Sequence, residues 1–454
     1  MKQSSKPARK GPVSRAALGA ALALGMAAGS TMLAAPAMAA KEPKQAPMKL
    51  TPNFQKVAVP LQKTVNEAKT RADVVAAKGN RAALATALAA EKAQVDQLFT
   101  LIGSEDDRFV AGQFAVTLGG IAEDQALQRR GIDAMIQSGK LPAGELGKLQ
   151  FISGQLAYQA KDYAGARKML QAALDGGYTE TDPVSLIAET YLAEGQTQQG
   201  LSMLQQAIDR QKAAGKAVPD NWYKRGMFAA YRAKMGPQAS AFGSGLVQAY
   251  PTKENWGIAI TIVREIGGIP SQEMLDLLRL MGRTDSYAEG RDYLEYIEAA
   301  DPRRLPGEAL KVIDAGTAAG AFKPPADRIV GEYRAIANER VGSDRASLPK
   351  LESDSRAPGA SAAIVTANAD AFLSYGEAAK AEALYALALT KPGVDAPRVL
   401  TRLGIAQADQ GKYAEAQASF AKVTGPRKPI ADLWTAYAAG GGKALPNAPK
   451  TAAQ

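Results

Sequence analysis

The sequence predicts an all-α chain built from stacked helix pairs, and three observations carry that reading. Hydrophobic residues make up 46% of the chain but aromatic ones only 6%, and Ala and Leu, which lose least on entering a helix, carry most of the apolar content. Apolar positions recur at three- and four-residue intervals along most of the chain, which gives a helix one apolar stripe. Small and bulky residues then recur at intervals of 34 and 35 residues, the mark of a repeat array. At 454 residues the chain exceeds one ordinary domain, whereas a solenoid has no such ceiling because each unit touches only its neighbours.

In chain order, residues 1–40 read as a signal peptide. Lys2, Lys6, Arg9, Lys10 and Arg15 form a basic leader, Ala16 to Ala35 is apolar and uncharged, and Ala37-Met38-Ala39 is a small-x-small cleavage pattern. Cleavage near Ala39 or Ala40 and a periplasmic or secreted location are expected; an uncleaved anchor is the alternative, since the apolar stretch is about one minimal span long. No other segment approaches a span. Residues 41–60, rich in Pro and Lys, read as a flexible spacer. Residues 61–146 form an N-terminal helical region, with helices over 61–78 and 81–102 separated by Gly79-Asn80 and a further pair over 109–118 and 125–136.

The repeats follow over 147–341. Gly154, Ala166, Leu170 and Ala173 stand 34 residues before Ala188, Gly200, Leu204 and Ala207, and Trp222 stands 34 before Trp256. Small residues are needed where two helices approach closely, and a bulky one fills the gap between pairs. Residues 342–361 hold serines, prolines and scattered charges and read as an exposed loop. Two more units follow over 362–439, where Gly376, Ala381, Tyr385 and Ala388 recur 35 residues later as Gly411, Ala416, Phe420 and Val423. A last helix, with Leu433, Trp434 and Tyr437, is expected to cap the open end of the stack. Residues 440–454 read as a disordered tail.

These units resemble the tetratricopeptide repeat superfamily. Leu403-Gly404, Tyr413, Ala416 and Phe420 form the fullest match; Tyr191, Gly195, Leu204 and Ala207 form a second, and Trp222, Gly226, Phe242 and Pro251 a third. The resemblance covers roughly 147–424, weakest over 271–361, and implies a right-handed superhelical solenoid of antiparallel helix pairs. It also implies a concave face, lined by first helices, that binds an extended peptide or a partner helix. One subset of the family clamps acidic chain ends with Lys, Arg and Asn. Here Phe151, Gln155, Ser185, Glu189, Tyr223 and Met227 stand at the corresponding positions, which implies a more neutral groove.

Cys and His are both 0, which removes thiol and imidazole nucleophiles, bases and metal ligands. No catalytic residue, metal site or cofactor is expected. The net charge of +10 falls to about +5 once the leader is removed, too mild and too scattered for a nucleic-acid partner. Glu105-Asp106-Asp107, a possible acid-base or calcium group, is better explained by the positive start of a helix. Tyr158, Tyr223 and Met227 are the candidate partner-binding residues, since aromatic and Met side chains give adaptable contact area; the competing reading is helix-pair packing. The expected function is a non-catalytic protein-interaction scaffold of the bacterial cell envelope. The alternative is an accessory ligand-binding module for polysaccharide or peptidoglycan synthesis or export.

Overall fold

A computed structural model describes residues 48–142, 144–266 and 271–447. The expected signal peptide, its cleavage near Ala39 or Ala40, and the end of the tail lie outside the described residues. Within them the chain is all-α: 22 helices follow one another, and the sole extended pairing recorded is the isolated bridge between Thr252 and Leu445. No described helix is long and apolar enough to cross a membrane.

The N-terminal part comprises α1 (Pro52–Ala68), α2 (Ala72–Ala76), α3 (Arg81–Ala87), α4 (Ala89–Thr100), α5 (Glu105–Ile121) and α6 (Gln125–Gln137). Helix α1 corrects the spacer expected over 41–60 for residues 52–60, while 41–47 lie outside the described residues. Phe54, Ala58, Leu61, Val65 and Ala68 repeat at helical spacing and are all buried, and Pro52 occupies a first-turn position that needs no amide donor. Asp107 anchors its start by accepting hydrogen bonds from the Thr51 amide at 3.0 Å and hydroxyl at 2.8 Å. The acidic triplet fills the first turn of α5, whose cap Ser104 accepts the Asp107 amide at 3.0 Å, so its placement follows the helix dipole.

Helix pairs then follow in series: α7 (Glu145–Gln159) with α8 (Tyr163–Asp175), α9 (Pro183–Ala193) with α10 (Thr197–Ala213), and α11 (Asp220–Arg232) with α12 (Gly236–Ala249). The small-to-bulky rule read from the sequence operates inside the pairs. A Cβ placed on Gly226 would lie 2.5 Å from the Phe242 ring, and one on Gly404 would lie 2.4 Å from Phe420. The two helices can meet only because those positions lack a side chain. Polar contacts between units keep the same period. Arg130 bonds Asp96 across 34 residues at 2.5 Å, Arg129 bonds Asp162 across 33 at 2.7 Å, and Tyr231 bonds Glu265 across 34.

Beyond α12 come α13 (Lys253–Ile266), α14 (Ser271–Thr284), α15 (Gly290–Ala300), α16 (Pro306–Ala318) and α17 (Ala326–Arg356), then α18 (Ala362–Ser374), α19 (Ala378–Leu389), α20 (Ala396–Ala408), α21 (Tyr413–Phe420) and α22 (Lys428–Ala439). The loop expected over 342–361 is corrected: residues 342–356 continue α17, a helix of 31 residues that runs through Pro349. Leu348 and Ser355 are buried there, and Ser355 donates back to Leu351 at 2.8 Å while Asn368 of α18 donates to Ser355 at 2.9 Å. The segment joins α16 to α18 and does not divide the chain.

Helix α22 does not merely cover an open end. It packs on α21 and also on α12, α13, α14 and α20, so the elements from α12 to α22 close on themselves. One continuous apolar core runs from Val247 to Ala438 and includes Trp256, Phe372, Phe420 and Trp434. Contacts here span 126 to 193 residues, among them Arg402 to Asp276 and Glu254 to Asn447, far more than the one-repeat reach of an open array. The tail expected over 440–454 is partly structural for the same reason: the Leu445 amide donates to Pro251 at 2.7 Å and its carbonyl accepts from Lys253 at 3.0 Å.

Candidate functional site: an N-terminal groove and a buried charge lattice

Two of the three residues read as a recognition surface are core residues. Tyr223 is 2% exposed and Met227 is 0% exposed, packed in the cluster that joins α9 through α13. The reason is register. Met227 sits against α12, where a Cβ on Gly243 would lie 3.3 Å from its sulfur, and Tyr223 sits where a Cβ on Gly245 would lie 2.8 Å from its ring. Arg225, on another side of α11, bonds Glu189 of α9, and Phe228 is among the exposed large apolar residues. Tyr158 is half-buried, 5.7 Å from the Tyr163 ring. Burial, with Glu189 nearby, raises its hydroxyl pKa. The structure therefore does not gather the three into one face.

A concavity lies elsewhere, among α3 to α7, with a volume of about 900 Å³. Leu88, Phe99, Leu118, Ala122, Ala126 and Leu156 supply its apolar surface, while Arg81, Lys92, Arg108, Arg129 and Arg130 outnumber Glu123, Asp124 and Asp133 around it. Several of these charges are held in place. Lys92 bonds Asp124 at 2.6 Å, and Arg130 lies 3.8 Å over the Phe99 ring while bonding Asp96, a stacking that suits a planar guanidinium. Asp124 also caps α6 through the Leu127 amide at 3.0 Å. Burial raises its carboxyl pKa, but Lys92 and the backbone bonds outweigh that and leave it below the usual value. The Nε of Arg129 is buried without a hydrogen-bond partner, and Arg81 carries no ion pair among the described residues. The result is an apolar trough rimmed by five cations, four of them paired with carboxylates.

Inside the closed C-terminal part, charged side chains meet in the core. Asp276 is 0% exposed and accepts from Arg402 at 3.1 Å, Arg279 at 3.0 Å and Arg427 at 2.8 Å. Arg279 forks onto Glu308 at 2.8 and 2.6 Å, and Tyr296 donates to the same carboxylate at 2.8 Å. Arg402 continues to Asp370 at 2.6 Å, which also accepts Tyr385 at 2.7 Å. Burial pushes the Asp276 carboxyl up, but Arg402, Arg279 and Arg427 together bring it down to about 2. Glu308 and Asp370 are likewise lowered, their guanidinium partners outweighing desolvation. Carboxylates so fully paired stay ionised and have no proton to donate at neutral pH. The lattice links α14, α16, α18, α20 and the turn before α22, and its chemistry is that of a fastening.

No cluster of three or more potential metal ligands occurs among the described residues. No family model matches the chain, and no curated protein matches it in sequence.

Proposed function

We propose that the protein is a non-catalytic interaction scaffold of the bacterial cell envelope, exported by its N-terminal leader, whose α5 to α13 pairs form a right-handed tetratricopeptide-like solenoid. The occupant assigned to it is an acidic, amphipathic segment of a protein partner, seated in the groove among α3 to α7. One observation carries the reading: a trough of about 900 Å³ combines an apolar lining with a rim of five cations, of which Arg81 has no ion pair among the described residues. Such a surface accepts the apolar face of a helix or strand while its rim meets carboxylates. The interaction face thus moves from the α7 to α11 positions expected from register to the helices before them.

The test uses defined peptides. Amphipathic peptides of equal length and apolar content, carrying Glu, Lys or no charge, are titrated into the chain lacking residues 1–40, alongside soluble glycan fragments. The Glu series should bind most tightly, weaken with salt, and be lost in Ala126→Glu, which puts a carboxylate at an exposed lining position. Equal binding of all three peptide series, or binding of glycans instead, refutes the reading.

A further inference from the structure

A cavity of about 370 Å³ opens between the starts of α12 and α22 and the end of α13, apart from the α3 to α7 groove. Its volume falls within the range of small-molecule sites, roughly 300–1,000 Å³. Pro237, Val263, Ile266, Pro426 and Pro429 give it apolar walls, and Ser240 of α12 sets a hydroxyl-bearing side chain among them.

That hydroxyl is unsatisfied. Ser240 is 4% exposed and its Oγ has no hydrogen-bond partner, whereas every other serine buried among the described residues has one. Ser138, Ser355 and Ser374 donate to carbonyls of the preceding turn, and the rest meet other side chains. A buried hydroxyl without a partner is costly to keep in a folded chain, and an acceptor placed in the cavity removes that cost.

Two helix starts meet at the same cavity. Gly236 and Pro237 are the first residues of α12, Lys428 and Pro429 are the first of α22, and neither helix has a side-chain cap. By contrast, the starts of α6, α8, α9 and α20 are capped by Asp124, Asp162, Asp182 and Asp395. Each uncapped start carries about half a positive charge, so the two together complement about one negative charge. The charged side chains of the described lining, Lys428 and Asp432, pair with each other and leave that balance unchanged. Arg427, beside Lys428, is engaged with Asp276 at 2.8 Å.

We propose that this cavity binds a medium-chain aliphatic monocarboxylate, with its tail against the prolines, Val263 and Ile266 and its head group at the two helix starts, accepting the Ser240 hydroxyl. A dianion exceeds the charge offered, and an uncharged molecule leaves the helix starts unanswered. The site is separate from the groove and does not rest on that reading.

Octanoate, octanol and octylammonium share one tail and differ in head group. Each is titrated by calorimetry into the chain lacking residues 1–40, with acetate as the control without a tail. Octanoate should bind one-to-one and at least about tenfold more tightly than octanol, octylammonium more weakly still, and acetate without saturation. Ser240→Ala should weaken octanoate about tenfold, while the Tm of the free protein holds or rises because the hydroxyl has no bond to lose. Asp432→Asn removes the one carboxylate of the described lining, so it should tighten octanoate and leave octanol unchanged, a gain that a damaged fold does not produce. Ala126→Glu, in the groove, should bind octanoate as the parent does, so failure of the cavity is distinct from failure of the groove. No saturable octanoate binding, equal affinity for the three head groups, undiminished binding in Ser240→Ala, or an equal loss in Ala126→Glu overturns the proposal.

Discussion

Replacing Asp276 by Asn tests whether the charge lattice fastens the closed part of the molecule. The native carboxylate takes Arg402 Nε on both oxygens at 3.1 Å, Arg279 at 3.0 Å and Arg427 at 2.8 Å, while Trp434 of α22 donates to the Asp276 backbone carbonyl at 2.9 Å. Asn keeps the shape but leaves three buried guanidiniums facing a neutral group. Removing one partner from a buried ionic group costs about 3–5 kcal/mol, mostly through the charges left unpaired. A second measure is independent of the mutation. The folded carboxyl, lowered from 3.8 to about 2, contributes about 2 kcal/mol above pH 4. It loses that contribution as pH falls through 2. The mutational cost is the larger because it also removes an acceptor. Urea unfolding followed by far-ultraviolet dichroism at pH 7 should give a midpoint lowered by the corresponding amount. The wild-type Asp276 contribution should begin to fall below about pH 4, where the unfolded carboxyl takes up its proton, and be about half gone by pH 3. A loss under about 1 kcal/mol in Asp276→Asn would refute the fastening role, since surface ion pairs alone give that little.

Gly404→Ala should cost about 1–3 kcal/mol by overpacking, since its Cβ would meet Phe420 at 2.4 Å and that ring is itself stacked 6.2 Å from Trp434; thermal melts against Gly359→Ala, where the added Cβ meets nothing, give the comparison. Met227→Glu puts a carboxylate where the side chain is 0% exposed, so it should lower the Tm sharply, on the scale of about 3 kcal/mol or more. A Met227→Glu chain with unchanged Tm would instead return Met227 to the surface.

The repeat signal was legible because one rule generates it. Gly154, Gly226 and Gly404 each meet the bulky residue 16 positions on, Leu170, Phe242 or Phe420, and that local geometry writes a period into the sequence. Spacer and loop were misread for a common reason: composition outweighed periodicity. Pro60 and Pro349 both lie inside helices, and the stripe of Phe54, Ala58, Leu61 and Val65 was a better guide than the prolines near it. Tyr223 and Met227 were recognised as important positions, but family register cannot decide which side of α11 meets α12. The groove left almost no trace, because Arg81, Lys92 and the pair Arg129 and Arg130 come from three separate helices, α3, α4 and α6, and look like ordinary exposed charges until they are brought around one trough.

Closure had a signal of a different kind. In α14, Asp276, Arg279 and Arg283 form a polar stripe beside Leu275, Leu277, Leu278 and Met281, yet Asp276 and Arg279 are as buried as those apolar neighbours. A helix whose charged stripe is buried along with its apolar one is covered on every side, which an outer position in an open array does not offer. The charges inside such a helix then need buried partners of opposite sign, and α18 and α20 carry candidates of the same type: Asp370 lies among Ala369, Ala371 and Phe372, and Arg402 lies between Thr401 and Leu403. All seven of these neighbours and charges are buried. Charges buried in helices far apart in sequence thus point to one another, and the 126 residues between Asp276 and Arg402 follow from the need to satisfy both at once.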